Sequence, residues 1–419
     1  MNRIGIGVRL AAAILLFIGQ NALAAGEPRI TEITFEGNDR TQASVLRREI
    51  PIAVGDVLDA DLVELSRQQI QNLGLFRAVE ARVEAVDGGV RLVFNVKEKW
   101  FWQGYPRLSA NSDGQNSIGF EGRVSNLWGL NHSLRVLGRS RDTKDEDRGR
   151  DLSIRGSYYA PYLLGERDSL RLSAAHSITP YEDPDYDETV NEVEALASRT
   201  FGLPQQHSQG WTLGVGTIWR DQQISDESIA RSFGSSYGLV TEATYRNERD
   251  LIYSNEGSYF SARYEIADQD LFSDYSYSIL RVSAEQARPI GTRAHQQLSY
   301  GLTFGVGNHA LDHRALFSLG GAEGLRGYER KAFEGNSFYL GNIEFMRPLY
   351  WDSLRGTIGL ELGNAAWETR DLFNSPNLSL NLGLRYKPRR LINFEIELGF
   401  AIPLSGEDPR FYGGKVDRH

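Results

Sequence analysis

The chain has 419 residues, no cysteine, and 46 Lys and Arg against 55 Asp and Glu, a formal net charge of −9. That balance argues against nucleic-acid binding, which needs basic faces, and without cysteine the fold must rest on burial and hydrogen bonding alone. The first element in chain order is a leader: Arg3 and Arg9, the apolar run Leu10 to Ile18, then Ala22-Leu23-Ala24. This is the order of a secretory signal peptide, so residues 1–24 are expected to be cleaved and the mature protein to begin near Ala25. The apolar run is shorter than the roughly 20 residues a membrane helix needs, and no later cysteine could carry a lipid anchor.

Residues 25–97 are expected to form a small domain of order β-α-α-β-β. Ile30, Ile33 and Phe35 lie in a β-type run ended by the turn pair Gly37-Asn38. Thr41 to Ile50 and Ala60 to Leu73 read as amphipathic helices, the second carrying Leu62, Leu65, Ile70 and Leu73, with Gly74 placed to end it. Phe76 to Val86 and Val90 to Val96 follow as strands around Asp87-Gly88-Gly89, a hairpin signal. Gly37-Asn38, Gly55, the run Leu73-Gly74-Leu75-Phe76 with Val79 three residues on, and Val96-Lys97-Glu98 together resemble a polypeptide-transport-associated (POTRA) domain.

From residue 98 to 419 strict alternation replaces the helical period. Leu298, Tyr300, Leu302, Phe304 and Val306 alternate with polar and small residues, as do Leu378, Leu380, Leu382, Leu384 and Tyr386. Trp211, Leu213, Val215 and Trp219 repeat the pattern, and so do Phe394, Ile396, Leu398 and Phe400 against Asn393, Glu395 and Glu397. One apolar and one polar face per strand suits the wall of a transmembrane β-barrel, closed because an unpaired edge in hydrocarbon is costly. A soluble sandwich also alternates, but its inner faces would be dry, and charged residues recur here on the polar face. Tyr158, Tyr159, Tyr162, Trp128, Trp219, Trp351 and Trp367 suit interfacial girdles. The length allows about sixteen strands at roughly 20 residues each with its connection. Trp128 to Asn131, Leu163 to Glu166 and Leu203 to Gln206 are tight connections, expected on the periplasmic side. Arg141 to Arg150, Tyr181 to Glu188 and Asp221 to Ser236 are long and polar, expected outside.

The longest connection, Asn308 to Gly335, holds Gly320-Gly321-Ala322-Glu323-Gly324-Leu325-Arg326-Gly327-Tyr328. A loop of this length and glycine content is usually functional or disordered, and a guanidinium inside a barrel must be paired. Glu344, flanked by Ile343 and Phe345, and Glu361, flanked by Leu360 and Leu362, have lumenal parity on the two strands that follow. Here the chain resembles the BamA/TamA superfamily (bacterial surface antigen family) of outer-membrane assembly factors and translocases. The resemblance implies POTRA domains ahead of a sixteen-stranded barrel, and an Arg-Gly-Phe/Tyr loop folded back into the lumen. Arg326-Gly327-Tyr328 matches that motif, and the family's acidic partners fall on Glu344 and Glu361, the latter where many members carry aspartate. An ion-pair latch of Arg326 with both is therefore expected. A single POTRA-like unit, a short last strand around Arg410-Phe411-Tyr412 and a C-terminus without the usual aromatic depart from the pattern.

The chain carries no Gly-x-Ser-x-Gly elbow, phosphate loop or His-Glu-x-x-His. His309 and His313 around Asp312 lack further ligands at metal spacing, and Glu182 to Glu188 reads as a solvated acidic loop. No metal or cofactor is expected. The expected role is non-enzymatic: assisting insertion or translocation of unfolded outer-membrane or secreted polypeptides. Outer-membrane lipid and lipopolysaccharide, and accessory lipoproteins, are the further candidate partners. The alternatives are a passive channel or structural barrel plugged by the POTRA-like unit, and a rim hydrolase using His176.

Overall fold

The computed structural model describes residues 27–111, 116–142, 150–181, 186–225, 234–309, 315–321 and 324–416. The leader, Glu182 to Asp185, Asp312, His313, Ala322, Glu323 and Asp417 to His419 lie outside the described residues.

The small N-terminal domain is a three-stranded sheet of β1 (Ile30–Glu36), β2 (Phe76–Val86) and β3 (Gly89–Glu98) in the order β1-β3-β2. β1 runs parallel to β3 and β2 antiparallel to it. Two helices, α1 (Ala43–Arg47) and α2 (Ala60–Asn72), pack Leu46, Val63 and Ile70 against Ile30, Leu92 and Phe94. Burying each such side chain contributes about 1.5–3 kcal/mol. The Asp59 side chain caps α2 by accepting from the Asp61 and Leu62 amides at 2.8 and 3.4 Å, satisfying donors that the helix leaves unpaired. α1 is shorter than the predicted Thr41 to Ile50. Its N-cap Gln42 makes no side-chain cap, and the Gln42 amide is instead spent on the barrel, donating to the Gly129 carbonyl at 3.0 Å.

The rest of the chain forms a closed antiparallel barrel of sixteen strands. They begin with β4 (Trp102–Asn111), β5 (Ser117–Leu127), β6 (His132–Asp142), β7 (Arg150–Gly165), β8 (Asp168–Tyr181) and β9 (Tyr186–Leu203). β10 (Gln206–Ile224), β11 (Gly234–Asp250), β12 (Asn255–Ala267), β13 (Tyr277–Pro289) and β14 (Gln297–His309) continue the wall. A small hairpin, β15 (Phe317–Leu319) with β16 (Phe333–Gly335), lies outside the barrel sheet. The wall resumes with β17 (Ser337–Pro348), β18 (Leu354–Ala366), β19 (Asn377–Tyr386), β20 (Ile396–Pro403) and β21 (Arg410–Lys415). Leu213, Val215, Leu302, Leu384 and Phe400 stand exposed on the outer face. The inner face is ionic: Arg220 meets Glu192 at 2.9 Å, and Arg263 meets Glu194 and Glu265 at 2.5 and 2.8 Å. An apolar exterior around a charged interior is what a bilayer-embedded barrel needs. No helix of the described residues is long and apolar enough to cross a membrane.

Three aromatic positions depart from the predicted placement, among them Tyr159, which lines the lumenal cavity beside Arg135 instead of the outer girdle. Asn393 takes φ +47 and β20 starts only at Ile396, so Phe394 leaves the outer face and packs on Tyr105 with ring centroids 4.8 Å apart. Tyr162, predicted for an interfacial girdle, takes φ +64. Its hydroxyl donates to Glu49 of the small domain at 2.9 Å, and the Arg48 guanidinium sits 3.6 Å from its ring centroid. Trp128, Trp351 and Trp367 remain exposed as girdle residues should.

Tyr162 belongs to a wider joint across the tight-turn rim. Gln42 Nε2 donates to the Trp128 carbonyl at 2.9 Å, and Asn126 Nδ2 to Thr41 Oγ1 at 2.8 Å. The Asp250 amide donates to Asn72 Oδ1 at 3.0 Å, Gln69 Nε2 to Gln206 Oε1 at 3.2 Å, and Arg389 Nε to the Arg77 carbonyl at 3.1 Å. Ile392, from the β19–β20 connection, enters the core of the small domain.

Candidate functional site

The connection between β14 and β17 folds against the inner wall and builds a core of its own. Phe317, Leu319, Leu325, Tyr328 and Phe338 cluster, with Leu325 fully buried. This apolar knot fixes the backbone from which Arg326 projects. The Arg326 amide donates to Glu361 Oε2 at 2.7 Å and its Nε lies 3.2 Å from Glu361 Oε1. Its Nη1 meets Glu397 Oε1 at 3.3 Å and donates to the Tyr412 hydroxyl at 3.2 Å. Gly327 holds φ +102, and a Cβ there would lie 2.7 Å from Ser379 Oγ and 3.2 Å from the Pro403 nitrogen. Both conformation and space therefore demand glycine. The residues either side are pinned to β19: Ser379 Oγ donates to the Arg326 carbonyl at 2.7 Å, and the Tyr328 hydroxyl to the Leu378 carbonyl at 3.0 Å.

Glu344 has the predicted lumenal parity but a different partner. It accepts a bidentate pair from Arg385 at 2.8 and 2.7 Å, and joins Arg326 only through the chain Glu344, Arg385, Glu397. The expected direct Arg326–Glu344 pair is thus corrected. Parity chooses the face of a strand but not the height at which two side chains meet. Glu397, Arg385 and Tyr412 were missed as partners, although Glu397 has a readable signal, its flanking Ile396 and Leu398 both facing out. Farther down the wall, fully buried Arg355 donates to Glu395 Oε1 at 2.6 Å and to the Tyr253 carbonyl. Each of these buried cations has at least one carboxylate partner, Arg385 as a fork on Glu344, so the network runs from β17 to β21 with its charges paired.

The six residues of the N-terminal motif fall into structural roles. Gly37 takes φ +77, and a Cβ there would lie 2.2 Å from the Val96 carbonyl oxygen, so only glycine passes between β1 and β3. Asn38 Nδ2 donates to the Thr41 carbonyl at 2.9 Å, and the Gly55 amide to the Ile30 carbonyl at 2.7 Å. Phe76 and Val79 are buried in the core. The Gly74 carbonyl accepts from Lys99 Nζ at 2.8 Å. Burial pulls the Lys99 ammonium below its usual range, opposed by Asp250. Burial likewise pushes the Glu49 carboxyl up, with Ser208, Tyr162, Arg48 and His207 opposing. β2 is an edge strand, paired only with β3 among the described residues.

The barrel closes where β21 meets β4, at Tyr412 opposite Asn111 and Gly413 opposite Ala110. On its other side β21 pairs with β20 from Lys415 opposite Ile396 to Arg410 opposite Ala401. His176 is exposed with its Nδ1 2.8 Å from Asn191 Oδ1, a pair without a nucleophile. No group of three potential metal ligands occurs among the described residues.

Residues 28–99 match the family model described as surface antigen variable number repeat (POTRA), and residues 126–387 match the Omp85 superfamily domain. The outer membrane protein assembly factor BamA of Neorickettsia risticii (strain Illinois) is 34% identical over 112 residues, covering 26% of this chain and 15% of that protein. The chain thus spans only a small part of that relative's length. Among solved structures, BamA from Haemophilus ducreyi lacking POTRA domains 1-3 superposes with a TM-score of 0.58 at 15% identity, over 94% of this chain and 85% of that one. CdiB from Escherichia coli gives 0.61 at 14% identity, over 93% and 77%. CdiB from Acinetobacter baumannii gives 0.59 at 14% identity, over 93% and 74%. At these identities the likeness is one of fold.

Proposed function

Because this chain belongs to the Omp85 superfamily, seated in the outer membrane with its POTRA domain in the periplasm, we propose that it assists insertion or translocation of polypeptides there, without enzymatic chemistry. The observation that carries this reading is the seam: among the described residues β21 and β4 share a ladder at Tyr412–Asn111 and Gly413–Ala110, fewer positions than β21 shares with β20. An incoming unfolded outer-membrane or secreted polypeptide would first add a strand to the free edge of β2, held by main-chain hydrogen bonds that tolerate many sequences. At the seam its strands would gain backbone partners while their apolar faces pass to lipid, and that burial and pairing supply the driving force. Bilayer lipid and lipopolysaccharide are the surroundings this requires, and accessory lipoproteins are candidate helpers at the POTRA face.

Site-specific photocrosslinkers at Leu108 of β4, Phe411 of β21 and Arg82 of β2 test the proposal in cells. Outer-membrane or secreted polypeptides should be trapped at all three positions. A deletion strain with an unchanged outer-membrane and secreted proteome, together with no trapped client, overturns it. A passive, plugged channel is the second reading, favoured by the joint that seats the POTRA domain on the tight-turn rim. Conductance that rises on deleting residues 27–97, with clients unaffected, would select that reading.

A further inference from the structure

Resting on the reading of β4 and β21 as the working seam, we propose that the seam is closed from the lumen by an ion clasp. Lys415 of the last strand holds Glu121 of β5 across the intervening β4, and the charge of Lys415 sets how often the seam opens. The Lys415 ammonium lies 3.0 and 3.1 Å from the two oxygens of Glu121. The Glu121 side chain is 0% exposed and that of Lys415 5%, so the pair is screened from bulk water and salt. Lys415 also sits 5.2 Å from the ring centroid of Tyr105 on β4. Among the described residues the backbone ladder here is the two-position one already given, and this side-chain bridge adds to what joins the last strand to the first.

The clasp is built to release. Glu121 is also held by Arg107 of β4 at 2.9 Å, by Arg135 of β6 at 2.9 and 3.1 Å, and by Arg123 of its own strand at 3.3 Å. Breaking a buried ion pair is normally expensive because one charge is left uncompensated. Withdrawing Lys415 leaves Glu121 with three guanidiniums, so no buried anion is orphaned, and the crowding of four cations on one carboxylate is relieved. The opposite side of the same strand is tied by Tyr412 to Arg326 and Glu397. The last strand is therefore gripped towards both neighbours by side chains, with Gly413 and Gly414 between the two grips.

The full chain lacks cysteine, so a reporter pair can be placed at will. A Cβ built at Gly414 lies 3.8 Å from Ser109 Cβ, the separation a disulfide needs. In the Ser109→Cys/Gly414→Cys protein, in phospholipid vesicles, Lys415→Gln should slow disulfide formation about tenfold, equivalent to about 1.4 kcal/mol in closure. Lys415→Arg should stay near the parent rate. In planar bilayers Lys415→Gln should add conductance bursts that oxidation of the pair abolishes. Should the Gln chain fold poorly, it is refolded with the disulfide already formed and then reduced. Bursts on reduction, or closure only while stapled, support the clasp. Equal disulfide rates and equal conductance for parent and Lys415→Gln overturn it. Client trapping is read separately, so the clasp can fail while the proposed function stands.

Discussion

The wall around β9 and β10 and the seam between β21 and β4 solve the same problem by opposite means. β9 and β10 stay in register from Gly202–Gly210 to Glu188–Ile224. Their lumenal charges pair within the wall, Arg220 with Glu192 and Arg263 with Glu194. Opening that long ladder would leave many backbone groups without partners in hydrocarbon, so parting it is costly. At the seam the ladder covers two positions among the described residues, and ionic side chains reach across as well. On the proposed reading, opening is concentrated in one place, where buried side-chain bonds supplement a short backbone ladder.

Several substitutions would break or sharpen that contrast. The largest effect is expected from Arg326→Ala, which leaves Glu361 and Glu397 buried without their shared cation, at a cost of about 3–5 kcal/mol. Urea unfolding midpoints in detergent micelles would show it, and Arg326→Lys should recover only part because a point charge cannot reproduce the fork. Gly327→Ala comes next, at about 1–3 kcal/mol for a strained left-handed residue, and should loosen the loop without altering β9 or β10, as limited proteolysis would reveal. Within the network, Glu361→Gln should weaken the loop more than Glu344→Gln, because Glu361 touches Arg326 at both backbone and side chain while Glu344 acts through Arg385. Equal midpoints for the two variants would contradict that ranking.

The smallest effect lies at the POTRA joint, away from both walls. Burial raises the Glu49 carboxyl above its ordinary value of 4.5. A raised carboxyl stabilises the docked state fully below that ordinary value, and the contribution is lost as pH rises through the folded-state value. Glu49→Gln, which mimics the protonated form, should therefore strengthen docking at neutral pH by at most about 1 kcal/mol. The gain should vanish as pH falls below 4.5. POTRA-domain amide protection measured against pH for both proteins would decide it.

Much of this was readable beforehand, and the losses have physical causes. Alternation in stretches such as Leu298 to Val306 reveals a barrel because lipid forces one face of each strand to be apolar, whatever the neighbours. Arg326 and Glu361 were legible for a related reason, a cation in a glycine-rich loop and a carboxylate at lumenal parity. The partner of Glu344 was not, since pairing with Arg385 depends on the stagger of β17 against β19. Tyr162 and Phe394 broke the pattern through single positive-φ residues, Tyr162 itself and Asn393, which alternation cannot see. The cluster at Glu121 draws on β4, β5, β6 and β21 together. It exists only once the sheet has closed on itself, so no local stretch announces it.

Hydrogen–deuterium exchange of the full chain in lipid vesicles, resolved by strand, bears most directly on the claim that the barrel opens at one seam. Amides of β21 and the facing half of β4 should exchange much earlier than those of β9 and β10, and Lys415→Gln should widen the gap. Protection of β21 and β4 as complete as that of β9 and β10, in both proteins, would contradict it.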